Sequence, residues 1–223
     1  MTAKILRMIQ KDLMSECRAW HAWPAMLLLG TAVVLTFALQ IDLPPSQRQR
    51  VIGGLLWMAI FFAGTVSIER SLSLEQEDSC LEGLLLYPIS PVAIFLAKWA
   101  VNLVALVCLE IVLVPMFIVL SEAPLLKCPW ALLLSLALGN CGLAAVGTLL
   151  SAATSGLRNR SSLLALLVLP LVLPVVLGAA EATRLMLAGT LDDQWWRWIQ
   201  LLGAFAVVFV TAGAMLFEFV VEE

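Results

Sequence analysis

Six long apolar runs, separated by short polar connections, constrain this chain more than any other feature. They are Trp23–Ile41, Val51–Ile68, Val92–Leu120, Trp130–Ala153, Leu163–Ala180 and Trp198–Val221, each bounded by charges, prolines or tryptophans. A hydrocarbon core about 30 Å thick is crossed by about 20 apolar residues rising 1.5 Å each as a helix. Barrel strands alternate apolar and polar in pieces of about ten residues; here the runs are unbroken. The implied fold class is an all-α integral membrane protein with six transmembrane helices. Composition agrees: 62% of the 223 residues are hydrophobic and 13% charged, against about 45–50% and about 25% in soluble chains.

An even number of spans puts both termini on one side. Orientation follows lysine and arginine. Cytoplasmic termini place Lys4, Arg7, Lys11, Arg18, Arg70, Arg158 and Arg160 inside, against Arg48, Arg50, Lys127, Arg184 and Arg197 outside. Four of the inner set precede the first span, which weighs most. That span follows 22 residues and no small-residue cleavage site follows it, so it is expected to be retained.

Residues 1–22 form a basic amphipathic helix in this reading: Ile5, Ile9, Leu13, Cys17 and Trp20 fall on one face and Lys4, Arg7, Lys11 and Arg18 on the other. Such a helix lies in the cytoplasmic interface with its cations among anionic headgroups. Residues 23–223 make up the six-helix transmembrane domain. The five cysteines are scattered over both sides and within spans, which implies no intramolecular disulfide.

Polar groups inside the spans mark functional or packing positions. Lys98 is close enough to the inner end of its span to snorkel to the surface. Glu110 lies deeper, and two readings stand for it: a pathway or interhelical hydrogen-bonding role, or snorkelling outward. The fourth span carries Ser135, Gly139, Gly142, Ala145, Thr148 and Ala152 at intervals of three or four, a packing stripe for another helix of the chain or for a second copy. Pro170 and Pro174 should bend or break the fifth span, either as a gating or pathway-lining element or as a plain kink. Trp195, Trp196 and Trp198 suit an aromatic belt at the outer interface, with ligand stacking as the alternative.

Catalytic patterns are missing. No lysine follows a glycine, as the phosphate-cradling P-loop demands, so this chain is not an ATPase by that mechanism. His21 is the sole histidine and there is no G-x-S-x-G elbow, which removes two hydrolase classes. Cys17 and His21 could face one way, but they are two ligands without a third. No enzymatic activity, no metal and no nucleic-acid partner are expected.

The most unusual stretch is the acidic connection between spans two and three, "SIERSLSLEQEDSCLEGLLLYPISP". Ser79-Cys80-Leu81-Glu82 has capping-box spacing, so a short helix should begin there and end against Pro88. Ser90-Pro91 then supplies a cap and a first-turn proline for the third span. A preformed helix facing the cytoplasm, with Leu81, Leu84 and Leu85 as apolar knobs and Glu69, Arg70, Glu75, Glu77 and Glu82 around it, invites a soluble partner.

The pattern from Glu75 through Leu81-Glu82, Leu84-Leu85, Pro88 and Ala97-Lys98 resembles the permease subunits of ABC-2-type exporters. More closely, Glu69-Arg70, "SCLEGLLLYPISP" and "LLALLVLPLVLP" resemble the cytochrome c maturation protein B family, the haem exporter permease subunit. The likeness runs from the amphipathic N-terminus through the sixth span. It implies a permease of the bacterial inner membrane, paired as a homodimer, whose segment 69–90 couples to a cytoplasmic ABC ATPase. It also implies a haem-handling membrane protein and a periplasmic haem chaperone as partners. ATP would be bound by the ATPase subunit, and haem would enter as a substrate rather than as a cofactor held by this chain. Two alternatives stay open: a non-transporting scaffold that transmits ATP-driven motion, and an ABC-2 permease for another substrate.

Overall fold

The computed structural model describes residues 22–40, 45–77, 90–121, 124–153 and 160–222. The amphipathic helix expected over residues 1–22, Cys17 and His21 with it, falls almost wholly outside the described residues. So does the heart of the connection, with Leu81, Glu82, Leu84 and Leu85.

Among the described residues there are six α-helices and no strand: α1 (Ala22–Gln40), α2 (Pro45–Glu77), α3 (Pro91–Ser121), α4 (Pro129–Ala153), α5 (Arg160–Ala188) and α6 (Asp193–Glu222). A single 3₁₀ turn, Leu125–Lys127, joins α3 to α4, with Leu125 fully buried beneath it. Four helices carry segments long and apolar enough to cross a membrane: Pro91–Ser121, Pro129–Leu150, Leu169–Ala188 and Asp193–Phe217. The described apolar segments of α1 and α2, Met26–Thr36 and Arg50–Val66, are shorter.

Neighbours pack in sequence, and α4 also reaches α2 and α6 while α5 lies along α2. One continuous core results, centred on Trp57, Ile60, Leu106, Leu109, Val175 and Met186. A smaller cluster of Ile94, Phe95 and Phe217 closes the other end of the α3–α6 contact. Outside the core, Leu28, Ile111, Val119, Leu133, Val207 and Met215 are exposed. Large side chains of that kind around the whole perimeter suit lipid, not water.

The helix ends differ from the apolar runs. α2 continues nine residues past Ile68, so Glu69, Arg70, Glu75 and Glu77 belong to its last turns rather than to a separate connection. No glycine or proline interrupts residues 65–77, and Glu, Leu and Gln are good helix formers. α5 likewise continues past Ala180 to Ala188, where Gly189 (φ 75°) stops it. The Thr190 amide donates to the Leu185 carbonyl and the Gly189 amide to that of Met186, both at 3.1 Å, which is the paired closure of a Schellman turn. Asp192 then caps α6, its Oδ1 accepting from the amides of Gln194 (3.2 Å) and Trp195 (3.3 Å). Residues 181–197, which lie between the fifth and sixth apolar runs, are thus mostly helical, with a four-residue turn from Gly189 to Asp192 between the two helices. α3 starts at Pro91 as anticipated, with the Ser90 carbonyl accepting from the Ala93 amide at 2.9 Å.

Candidate functional site

Inside a membrane, a polar side chain that meets no water must find its partner across a helix interface. Two such pairs join α3 to α4. Asn102 Nδ2 donates to Thr148 Oγ1 at 2.8 Å, and Asn140 Nδ2 donates to Glu110 Oε2 at 2.9 Å. Asn102 and Glu110 are eight residues apart on α3, and their partners are eight apart on α4 in the opposite order, as antiparallel neighbours require. All four side chains are buried, Glu110 at 7% exposure. Thr148 Oγ1 in turn donates a hydrogen bond to the Ala144 carbonyl at 2.7 Å.

Of the two readings of Glu110, the structure selects the interhelical hydrogen bond. Glu110 lies eleven residues from the end of α3 at Ser121, about 16 Å along the axis at 1.5 Å per residue, and points inward to α4. Lys98 is buried at 5% exposure.

A third buried pair ties α2 to α5. Trp57 Nε1 donates to Thr183 Oγ1 at 3.0 Å, and Thr183 donates in turn to the Ala179 carbonyl at 2.8 Å. Trp57 is accommodated by Gly139: a Cβ there would overlap the indole ring. Gly142 faces Val175 of α5, where a Cβ would stand 3.1 Å from a valine methyl. The small-residue stripe of α4 is therefore a seam within the chain, occupied by Trp57, Val175 and Asn102.

Pro170 and Pro174 lie on the exposed side of α5 together with Leu169, Leu173 and Leu177. The helix runs through both without a break. The carbonyls left without a donor are those four residues earlier.

At the α5–α6 end, the tryptophans divide. Trp195 is fully buried, edge-on to Trp130 (centroids 5.3 Å apart) and to Trp196 (5.0 Å). Trp130 and Trp196 are exposed and suit an interfacial belt. In the last turns of α5, Arg184 makes a two-armed ion pair with Glu181, Nη2 to Oε1 at 2.6 Å and Nε to Oε2 at 2.8 Å.

Three buried acceptors on the α3–α4 seam, Asn102 Oδ1, Glu110 Oε1 and Asn140 Oδ1, have no hydrogen-bond partner. Among the described residues no three His, Cys, Asp or Glu side chains converge to hold a metal ion. What the described residues assemble is a set of polar latches between helices. Asn102, Asn140, Trp57 and Thr183 escaped the sequence reading, although a lone asparagine in an apolar run is itself a signal. Glu69, Arg70, Glu75 and Glu77 stand on the last turns of α2, on the same helix as Trp57.

A family model described as CcmB protein matches residues 3–222. Relatives named Heme exporter protein B cover most of the chain. That of Pseudomonas aeruginosa is 32% identical over 186 residues, 81% of each chain. That of Haemophilus influenzae is 31% identical over 183 residues, 80% of this chain and 79% of its own. That of Paracoccus denitrificans is 37% identical over 144 residues, 63% of this chain and 64% of its own.

Proposed function

The chain belongs to the CcmB protein family, and on that premise we propose that it is the membrane permease subunit of an ATP-binding-cassette complex for cytochrome c maturation, coupling a separate ATPase to haem export. The observation that carries this reading is the length of the likeness: relatives named as haem exporters match along about four fifths of the chain, not at one motif.

On this reading α1 to α6 are six spans in the bacterial inner membrane, with both termini cytoplasmic. The end of α2 and the segment through residue 90 then face the cytoplasm, where the ATPase docks. Glu69, Arg70, Glu75, Glu77 and Glu82 contribute charge there, and Leu81, Leu84 and Leu85 the apolar contact. A helix of 33 residues is about 50 Å long at 1.5 Å per residue, longer than a 30 Å hydrocarbon core. Such a helix can carry motion from the cytoplasmic end of α2 to Trp57 and its partners on α4 and α5. ATP is bound and hydrolysed on the partner, and this chain catalyses nothing and holds no cofactor. A second copy completes the permease. Because the α4 stripe is occupied within the chain, that copy packs on another face. A haem-handling membrane protein and a periplasmic haem chaperone receive the product.

The test is reconstitution of the purified chain with its ATPase in sealed vesicles, followed by haem movement. ATP-dependent flux is the expected result. ATP-dependent release of loaded chaperone without flux assigns the chain to a scaffold role instead.

A further inference from the structure

The pair Glu110–Asn140 has a defect that one proton repairs. Asn140 Nδ2 donates to Glu110 Oε2 at 2.9 Å, yet the other oxygen of each side chain, Glu110 Oε1 and Asn140 Oδ1, is buried without a partner. A carboxylate has only acceptors. Set against an amide, it matches the N–H and leaves two acceptors orphaned. A carboxylic acid has one donor and one acceptor, and it matches the amide on both.

We propose that Glu110 binds a proton within the membrane and donates it from Oε1 to Asn140 Oδ1, so that acid and amide form a cyclic pair of two hydrogen bonds latching α3 to α4. The balance is simple: the carboxylate takes one proton from hydronium in the adjoining water, so that the Oε1–H bond forms as a hydronium O–H bond breaks and water is left behind.

Among the described residues no cation competes for Glu110. Lys98, the one buried base among the described residues, is twelve residues away on α3, about 18 Å along the axis. Of the helices packed against α3, α1 carries no ionisable residue. α2 carries its charges before Val51 and after Ile68. α4 offers only the Cys141 thiol, and α6 has Asp193 and Arg197 at its start and Glu218 and Glu222 at its end. α3 itself adds only the Cys108 thiol. An ionised Glu110 would be a buried charge without a counter-ion, the arrangement buried groups avoid by neutralising. The bound proton is a condition of the closed seam, since parting α3 from α4 admits the water that can solvate a carboxylate.

The test is infrared spectroscopy of the full-length protein in lipid nanodiscs at neutral pH, with glutamate labelled by ¹³C at the side-chain carboxyl. The expected result is a protonated-carboxyl band that shifts with the label, moves in D₂O and is lost in Glu110→Gln. Because glutamine can also turn one N–H and its carbonyl toward the Asn140 amide, Glu110→Gln stays closer to the wild-type yield and thermal midpoint than Glu110→Leu and Asn140→Leu, which lower both. Two results overturn the proposal: no protonated-carboxyl band lost on Glu110→Gln, as when a bridging water serves the two oxygens, or a Glu110→Gln protein as destabilised as Glu110→Leu.

Discussion

Trp57 and Thr183, 126 residues apart in the chain, meet through a 3.0 Å hydrogen bond from the indole Nε1 to the threonine hydroxyl, both fully buried. The contact joins the helix whose far end carries Glu69, Arg70, Glu75 and Glu77 to the helix that carries Pro170 and Pro174. Thr183→Val keeps the shape and leaves the indole N–H buried without an acceptor, which costs about 1–3 kcal/mol. The measurement is thermal unfolding in detergent, with Thr211→Val as the control for a generic threonine effect, since the exposed Thr211 hydroxyl on α6 makes the same bond to the carbonyl four residues earlier.

Gly139→Ala should be poorly tolerated and Gly54→Ala well tolerated. A Cβ at Gly139 overlaps the Trp57 ring, whereas one at Gly54 meets nothing within 4 Å. Overpacking at the first costs about 1–3 kcal/mol, while the second gains about 0.5–1 kcal/mol from lower unfolded-state entropy. Folded yield and thermal midpoint of the two variants, measured side by side, should move in opposite directions.

Gly189→Ala tests the turn that ends α5. With φ at 75°, a side chain there costs about 1–2 kcal/mol. Gly189→Asn should recover part of that loss, since asparagine tolerates the left-handed region better. Equal destabilisation by the two would mean that the loss has another origin.

Asn102 and Thr148 can be weighed by a double-mutant cycle with alanine at each. Hydrogen bonds between membrane helices average about 0.6 kcal/mol in such cycles, and a coupling of that size between α3 and α4 is the expected outcome. A coupling near zero would assign the stability of the seam to packing alone.

The coupling segment has its own variants. Leu84→Asp with Leu85→Asp should leave membrane insertion unchanged and weaken ATPase association by more than about 30-fold, the effect of losing about 2 kcal/mol at an interface centre. Charge reversal at Glu75 and Glu82 should act chiefly on association rate and salt dependence. Undiminished co-purification of the ATPase with the leucine variant would remove the coupling role.

The third span shows how far a linear reading reaches. Its start at Pro91 follows from the chemistry of Ser90-Pro91, and the helix ends within one residue of the apolar run. The α5–α6 boundary was harder to read because Glu181, Arg184, Asp192 and Asp193 look like a solvated connection. In the structure Glu181 and Arg184 neutralise each other at the end of one helix, and Asp192 caps the next. Polar residues end an apolar run without ending a helix. The α4 stripe was legible as a packing face, but its occupant was not, because nothing local to Gly139 specifies an indole from α2.

An all-helical membrane protein was determined by the sequence itself, since unbroken apolar length leaves the backbone no other way to satisfy its hydrogen bonds in lipid. The family resemblance carried by "SCLEGLLLYPISP" and "LLALLVLPLVLP" was legible in the same linear way. Only the tertiary structure decided which polar groups inside the spans meet. Glu110 could have snorkelled toward the surface; it faces Asn140 because the antiparallel packing of α3 on α4 brings the two together. That register is set by side chains far apart in the chain, and only the packed helices reveal it.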